Sequence, residues 1–167
     1  MEDVKGMNHD EKFMRIALEL ANKAQLEAEI PVGAVIVLNG EIISMGQNRR
    51  ESTQNALKHA EIEAIESACK YLNSWRLTDC ELYVTLEPCP MCAGAIINSR
   101  ISRIIYGAYD SKAGSCGSVI NLFDLPYNHK PSVSGGILRE NCSSILSNFF
   151  KSLRKSKNKV DLYSKLT

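Results

Sequence analysis

Two cysteines three residues apart, Cys89 and Cys92, stand directly after Glu81 to Leu86, an alternating run of strand formers, and Pro88 and Pro90 flank the first of them. Proline stops a strand and suits the first turn of a helix, so this stretch predicts a strand ending near Leu86 and a helix that opens on the cysteines. Both thiols then lie on one face at a helix N-terminus, where the dipole favours the thiolate form. That is half of a metal site. The same spacing serves a redox dithiol, so C-x-x-C alone leaves both readings open.

His59 shifts the balance towards metal. After the polar stretch from Gln47 to Lys58, the residues Ala60, Ala64, Ile65 and Ala68 recur at helical spacing, which predicts a second helix from close to His59 to about Leu72. The chain has three histidines, and His9 and His129 sit in polar surroundings without a matching partner. No second C-x-x-C completes a closed four-ligand site. His59, Cys89 and Cys92 therefore form a candidate three-ligand zinc site with one position open for water, whose pKa the metal lowers towards neutrality. Glu61 follows His59 by two; such residues point about 200° apart on a regular helix and reach one site only at its first turn. There a carboxylate can take a proton from water and return it to a substrate.

The six cysteines invite a disulfide reading, but that inference belongs to short secreted chains. At 167 residues this chain fits one domain that buries about two-thirds of its unfolded surface and needs no such staples. No apolar run reaches membrane-spanning length and Met1 to Gly6 lacks an export signal, so a cytoplasmic protein without membrane contact is expected. The net charge of +1 is unevenly spread: from Lys151 onward, Lys151, Arg154, Lys155, Lys157, Lys159 and Lys165 face only Asp161, making this end +5 and the remainder −4. Such an end is either a solvated helix terminus or a footprint for phosphates.

Along the chain, apolar spacing from Asp10 to about Ala28 predicts a first helix. Asn39-Gly40 between Val32 to Leu38 and Glu41 to Met45 predicts a hairpin, because both residues tolerate the positive φ of a type I′ turn. Ile101 to Tyr106 reads as a further strand. Asp110 to Gly136 reads as a long loop with a short element near Val119 to Phe123, and Ile137 to Lys155 as a final helix. The order predicts helices packed around one mixed sheet.

His59-Ala60-Glu61 followed by Pro88-Cys89-Pro90-Met91-Cys92 is the recognised H-x-E and P-C-x-x-C signature of zinc deaminases. The chain resembles the cytidine-deaminase-like superfamily and, within it, the bacterial tRNA-specific adenosine deaminases. Supporting strings include Ile30 to Val35, Gly46 to Arg49, Tyr83 to Cys89, Met91 to Ala95, Asp110 to Gly114, Asn128-His129 and Ser147 to Phe150, so the likeness extends from about Asp10 to Arg154. It implies a three-layer α/β/α sandwich with a mixed sheet of about five strands. It also implies one Zn²⁺ per subunit, a homodimer, and conversion of adenosine to inosine at the first anticodon position of a transfer RNA, with the anticodon loop as partner and Glu61 as the proton-transferring residue.

The resemblance further implies that Asn48 hydrogen-bonds the flipped base beside Ala60, that Asp110 and Lys112 lie on an RNA-facing loop, and that Asn128, His129 and Phe150 line the same entrance. Lys58 and the basic end are expected to meet phosphates. The expected organisation is a flexible N-terminus over residues 1–9, a zinc deaminase domain over 10–155 and a basic tail over 156–167. Two rival functions share the motif: deamination of a free nucleobase or nucleoside of guanine or cytosine type, and a zinc-stabilised binding module without catalysis. The first needs a closed pocket and no phosphate-binding surface, whereas an RNA enzyme needs an open entrance with a cationic flank.

Overall fold

The computed structural model describes residues 8–164; residues 1–7, within the expected flexible N-terminus, and 165–167, at the end of the expected basic tail, lie outside the described residues. The elements are α1 (His9–Leu26), β1 (Gly33–Leu38), β2 (Glu41–Gln47), α2 (Arg50–Thr53), α3 (Ala60–Leu72), β3 (Cys80–Leu86), α4 (Pro90–Ser99), β4 (Arg103–Ala108), β5 (Ser132–Gly135) and α5 (Arg139–Ser164), with a 3-10 turn at Leu122–Asp124. The five strands form one sheet in the order β2-β1-β3-β4-β5. The β1 strand is antiparallel to both β2 and β3, while β3, β4 and β5 run parallel.

Strand alternation sends successive side chains to opposite faces, and here both faces are covered. Ala34, Ile36, Leu82, Val84 and Ile104 pack beneath Ala64 and Ala68 of α3 and Ala93 and Ile96 of α4. Val35, Val37, Tyr83 and Ile105 pack against Phe13, Met14 and Ala17 of α1 and Cys142 of α5. The result is the three-layer α/β/α sandwich with a mixed five-stranded sheet. Ile36, Leu82 and Ile104 are fully buried, and each such side chain contributes roughly 1.5–3 kcal/mol relative to exposure.

The hairpin turn takes the expected form, with Asn39 at φ 52° and Gly40 at φ 80°. Asn8 caps α1, its side chain accepting from the Asp10 nitrogen at 3.3 Å. Asp10 then joins the helix to the sheet: its carboxylate takes two bonds from Arg103, at 2.6 and 2.9 Å, and one from the Tyr83 hydroxyl at 3.0 Å.

Several boundaries differ from the sequence reading. The stretch read as a loop from Gln47 to Lys58 holds the end of β2 and the short α2. β5 lies inside the stretch read as one long loop, where Gly- and Ser-rich sequence masks a four-residue edge strand. The last helix starts at Arg139 rather than Ile137, because Gly136 at φ 88° and Leu138 at φ 51° are left-handed. It runs past Lys155 to Ser164, with no glycine or proline to stop it. No helix among the described residues is long and apolar enough to cross a membrane.

Candidate metal centre and active site

The N-termini of α3 and α4 meet at the C-terminal edge of the parallel strands, the place where open α/β sheets form their ligand crevices. His59 is the N-cap of α3 in extended conformation, and Cys89 is the extended N-cap of α4 with Pro90 following at the first helical position. The α3 helix comes this close to the sheet because β2 has no side chain at Gly46. A Cβ there would collide with the Ala60 carbonyl oxygen and stand 2.7 Å from the Ala64 nitrogen. The Ser44 hydroxyl donates to the Ala64 carbonyl at 2.7 Å and fixes the contact.

His59 Nδ1 lies 3.6 Å from the Sγ of Cys89 and 3.6 Å from the Sγ of Cys92. All three ligand atoms fall within 4.8 Å of one another. A tetrahedral zinc ion about 2.0–2.1 Å from nitrogen and about 2.3 Å from sulfur holds such ligands about 3.6 Å apart, so the donor set fits zinc in both chemistry and spacing. Hydrogen bonding from the Cys92 thiol and from His59 brings the Cys89 thiol down to about 4. The Cys92 thiol moves up because its proton is the one shared. Hydrogen bonding to Cys89 raises His59. Hydrogen bonding within the cluster thus favours the thiolate at Cys89.

Glu61 sits in the first turn of α3 and is 4% exposed. Burial pushes its carboxyl up to about 7, a value that lets one group both accept and donate a proton near neutrality. It shares a cavity of about 220 Å³ with His59, Ala60, Cys89, Asn48, Asp110 and others.

The sequence-predicted residues divide into three groups. His59, Cys89, Glu61, Asn48, Ala60 and Asp110 line the cavity, and Cys92 lies buried behind it. Asn48 is anchored at both ends of its amide: Nδ2 donates to the Ile30 carbonyl at 3.2 Å and Oδ1 accepts from the Arg50 nitrogen at 3.2 Å. Each end keeps one further bond for a ligand. Lys112 and Phe150 lie outside the cavity, in a surface groove with Ser147, Lys151 and Arg154. The loop carrying Asp110, Lys112 and Ala113 borders both spaces.

Asn128 and His129 stand elsewhere. The His129 Nε2 lies 2.7 Å from the Ile101 carbonyl oxygen, just before β4 begins, so within one chain this pair is at the opposite edge of the sheet from the cavity. The expectation that they line the entrance is not met in this chain: β5, parallel to β4 and starting at Ser132, draws its preceding residues to the N-terminal edge. Lys58 is paired with Glu66 at 3.0 Å. Sequence reasoning missed Ile30, Val32, Arg50, Leu86, Glu87 and Ala113 as cavity walls. Glu87 carried a visible signal, an acid directly after an apolar strand and two residues before Cys89.

Residues 7–108 match the family described as the cytidine and deoxycytidylate deaminase zinc-binding region. A tRNA-specific adenosine deaminase of Bacillus subtilis (strain 168) is 48% identical over 152 residues, covering 90% of this chain and 94% of that protein. A solved structure from biochemical and structural studies of A-to-I editing by tRNA:A34 deaminases at the wobble position of transfer RNA superposes with a TM-score of 0.79 at 43% identity, covering 81% of this chain and 99% of that one. A guanine deaminase structure from Bacillus subtilis gives a TM-score of 0.59 at 37% identity, covering 89% of this chain and 95% of that one. The chain therefore belongs to the cytidine and deoxycytidylate deaminase family of zinc-binding proteins, and within that family it is similar to the tRNA-specific adenosine deaminases.

Proposed function

We propose that this protein hydrolyses adenosine to inosine and ammonia at the first anticodon nucleotide of a transfer RNA, with His59, Cys89 and Cys92 holding zinc and Glu61 moving the protons. The observation that carries the proposal is the buried Glu61 beside the three-ligand cluster at the base of a cavity whose bordering loop also edges a cationic, aromatic groove on α5. A zinc ion held by these ligands would supply a water acidified towards neutrality. Glu61 would take one proton from the attacking water and deliver it to N1 of adenine, then take the second from the new C6 hydroxyl and give it to the amine as the C6–N bond breaks, so one carboxylate serves in two states. The second wall offers the free donor and acceptor of Asn48 to the base edge.

The size of the cavity supports a single extruded base. About 220 Å³ is smaller than the roughly 300–1,000 Å³ typical of drug-sized ligands, so the rest of a polymer substrate must lie outside. Lys112, Lys151 and Arg154 around the exposed Phe150 offer what that remainder needs, cations for phosphates and a ring for stacking. The relatives named for transfer RNA support the same substrate.

The proposal includes a homodimer. Asn128 and His129, assigned to the entrance by resemblance, are available to it only from a second copy, since their own chain holds them at the far edge of the sheet. The guanine deaminase neighbour sustains a second reading, a free-base deaminase with the same metal chemistry. The test is to incubate the protein with transfer RNA and, separately, with free guanine, cytosine and adenine, measuring inosine and ammonia. Inosine confined to the first anticodon nucleotide is expected. Ammonia from guanine alone would replace this proposal with its rival.

A further inference from the structure

The wall formed by residues 110–118 contains no regular element facing the cavity, yet it must hold Asp110 and Ala113 in place. Its fixed point is one side chain. Glu87 is 2% exposed and sits between the end of β3 and the Pro88-Cys89 step into α4. Its Oε2 accepts from the Asp110 nitrogen at 3.0 Å and from the Ser118 hydroxyl, while Oε1 accepts from the Cys116 nitrogen at 3.0 Å and the Ser118 nitrogen at 3.1 Å. Gly114 packs so closely on the carboxylate that a Cβ there would overlap it. The Ser115 nitrogen donates to the Pro88 carbonyl at 2.9 Å, joining loop and strand end a second time.

We propose that Glu87 is a positioning residue for substrate: it ties the segment that delivers Cys89 to the loop that walls the base cavity, so the loop's register is set by the same strand that sets the metal ligand. This role rests on the proposed deaminase function but acts through Asp110 and Ala113, not on the reacting atoms. The chemistry demands an acceptor-only group. Four donors converge on the two oxygens, three of them backbone N–H groups that cannot turn away. A glutamine has the same shape but carries an NH₂ that must oppose donors on one side. Facing Cys116 and Ser118, it would oppose two backbone N–H groups. Facing Asp110 and the Ser118 hydroxyl, it opposes one, since the hydroxyl can rotate to accept. Glu87→Gln therefore releases Asp110 first, a residue that lines the cavity.

The experiment compares wild type, Glu87→Gln and the milder Ser118→Ala by zinc content, steady-state kinetics on transfer RNA and amide hydrogen exchange of residues 110–118. For Glu87→Gln the expected result is zinc retained, faster exchange confined to 110–118, and KM raised about tenfold with kcat within about threefold. Ser118→Ala moves the same readouts less. Unchanged KM, or a fall in kcat with zinc lost and KM unchanged, would overturn the role. Exchange is read without substrate, so a wild-type protein inactive on RNA defeats the functional reading alone, whereas unchanged exchange in Glu87→Gln defeats the positioning role alone.

Discussion

Gly46 of β2 lies so close beneath Ala60 of α3 that no side chain can stand between the strand and the helix turn that carries Glu61. A glycine's missing Cβ is here a distance setting: it determines how deep the first turn of α3 sinks and therefore where His59 and Glu61 meet Cys89.

Gly46→Ala should accordingly be destabilising out of proportion to one methyl group. The colliding atoms are backbone and cannot rotate aside, so a cost of about 1–3 kcal/mol is expected, as for other overpacked cores. The denaturant midpoint should fall with an unchanged slope, and deaminase activity should fall further than stability accounts for, because the Ala60–Glu61 turn is displaced. Gly94→Ala provides the control, since nothing lies within 4 Å of a Cβ at that position. Equal behaviour of the two variants would remove the role assigned to Gly46.

Acid should destabilise the fold through two carboxylates outside the candidate metal cluster. Hydrogen bonding to Arg103 holds Asp10 below its ordinary value of 3.8. At Glu29 burial alone would raise the carboxyl, but the nitrogens of Ser52 and Glu51, at 2.6 and 3.1 Å, outweigh it and bring it below 4.5. Both folded-state values are lowered, so their stabilisation is fully present above the unfolded values and is lost as pH falls through the folded ones. Urea midpoints should hold near neutrality and drop below about pH 4.5, and Glu29→Gln should flatten that decline. A midpoint that stays constant down to pH 3 would contradict this.

The groove around Phe150 predicts a salt signature. If Lys112, Lys151 and Arg154 each meet a phosphate, every alanine substitution should weaken transfer RNA binding and reduce the slope of log affinity against log salt by about one. Lys58→Ala should change the slope less, because Glu66 already occupies its ammonium. Variants with the wild-type slope would exclude the groove as the RNA contact.

Much of this architecture was legible in the sequence, and the reason is local. Asn39-Gly40, the apolar run of β1 and the Pro-flanked cysteines each dictate backbone conformation through their own sterics, and the structure has a turn, a buried strand and a helix start at those positions. The candidate metal triad was legible because His59 opening one predicted helix and a lone C-x-x-C opening another have few other uses in combination. What escaped were long-range partnerships. Nothing local in the sequence marks the partners of Glu29 and Glu87, and only the chain path shows that each is buried under backbone N–H groups more than twenty residues away, from α2 and from the loop after β4. The remoteness of Asn128 and His129 was equally hidden, since β5 is a four-residue strand of Ser, Val and Gly whose pairing with β4, not its composition, makes it a strand.

If Glu61 performs the proton transfers of a zinc deaminase acting on transfer RNA, removing its carboxylate spares the metal and stops turnover. The most direct measurement takes wild type and Glu61→Ala, determines zinc per subunit in each, and follows inosine at the first anticodon nucleotide. Equal zinc in both proteins, inosine formed by wild type, and turnover reduced at least about 10²-fold in the variant are expected. Equal zinc with comparable inosine formation by both proteins would contradict it.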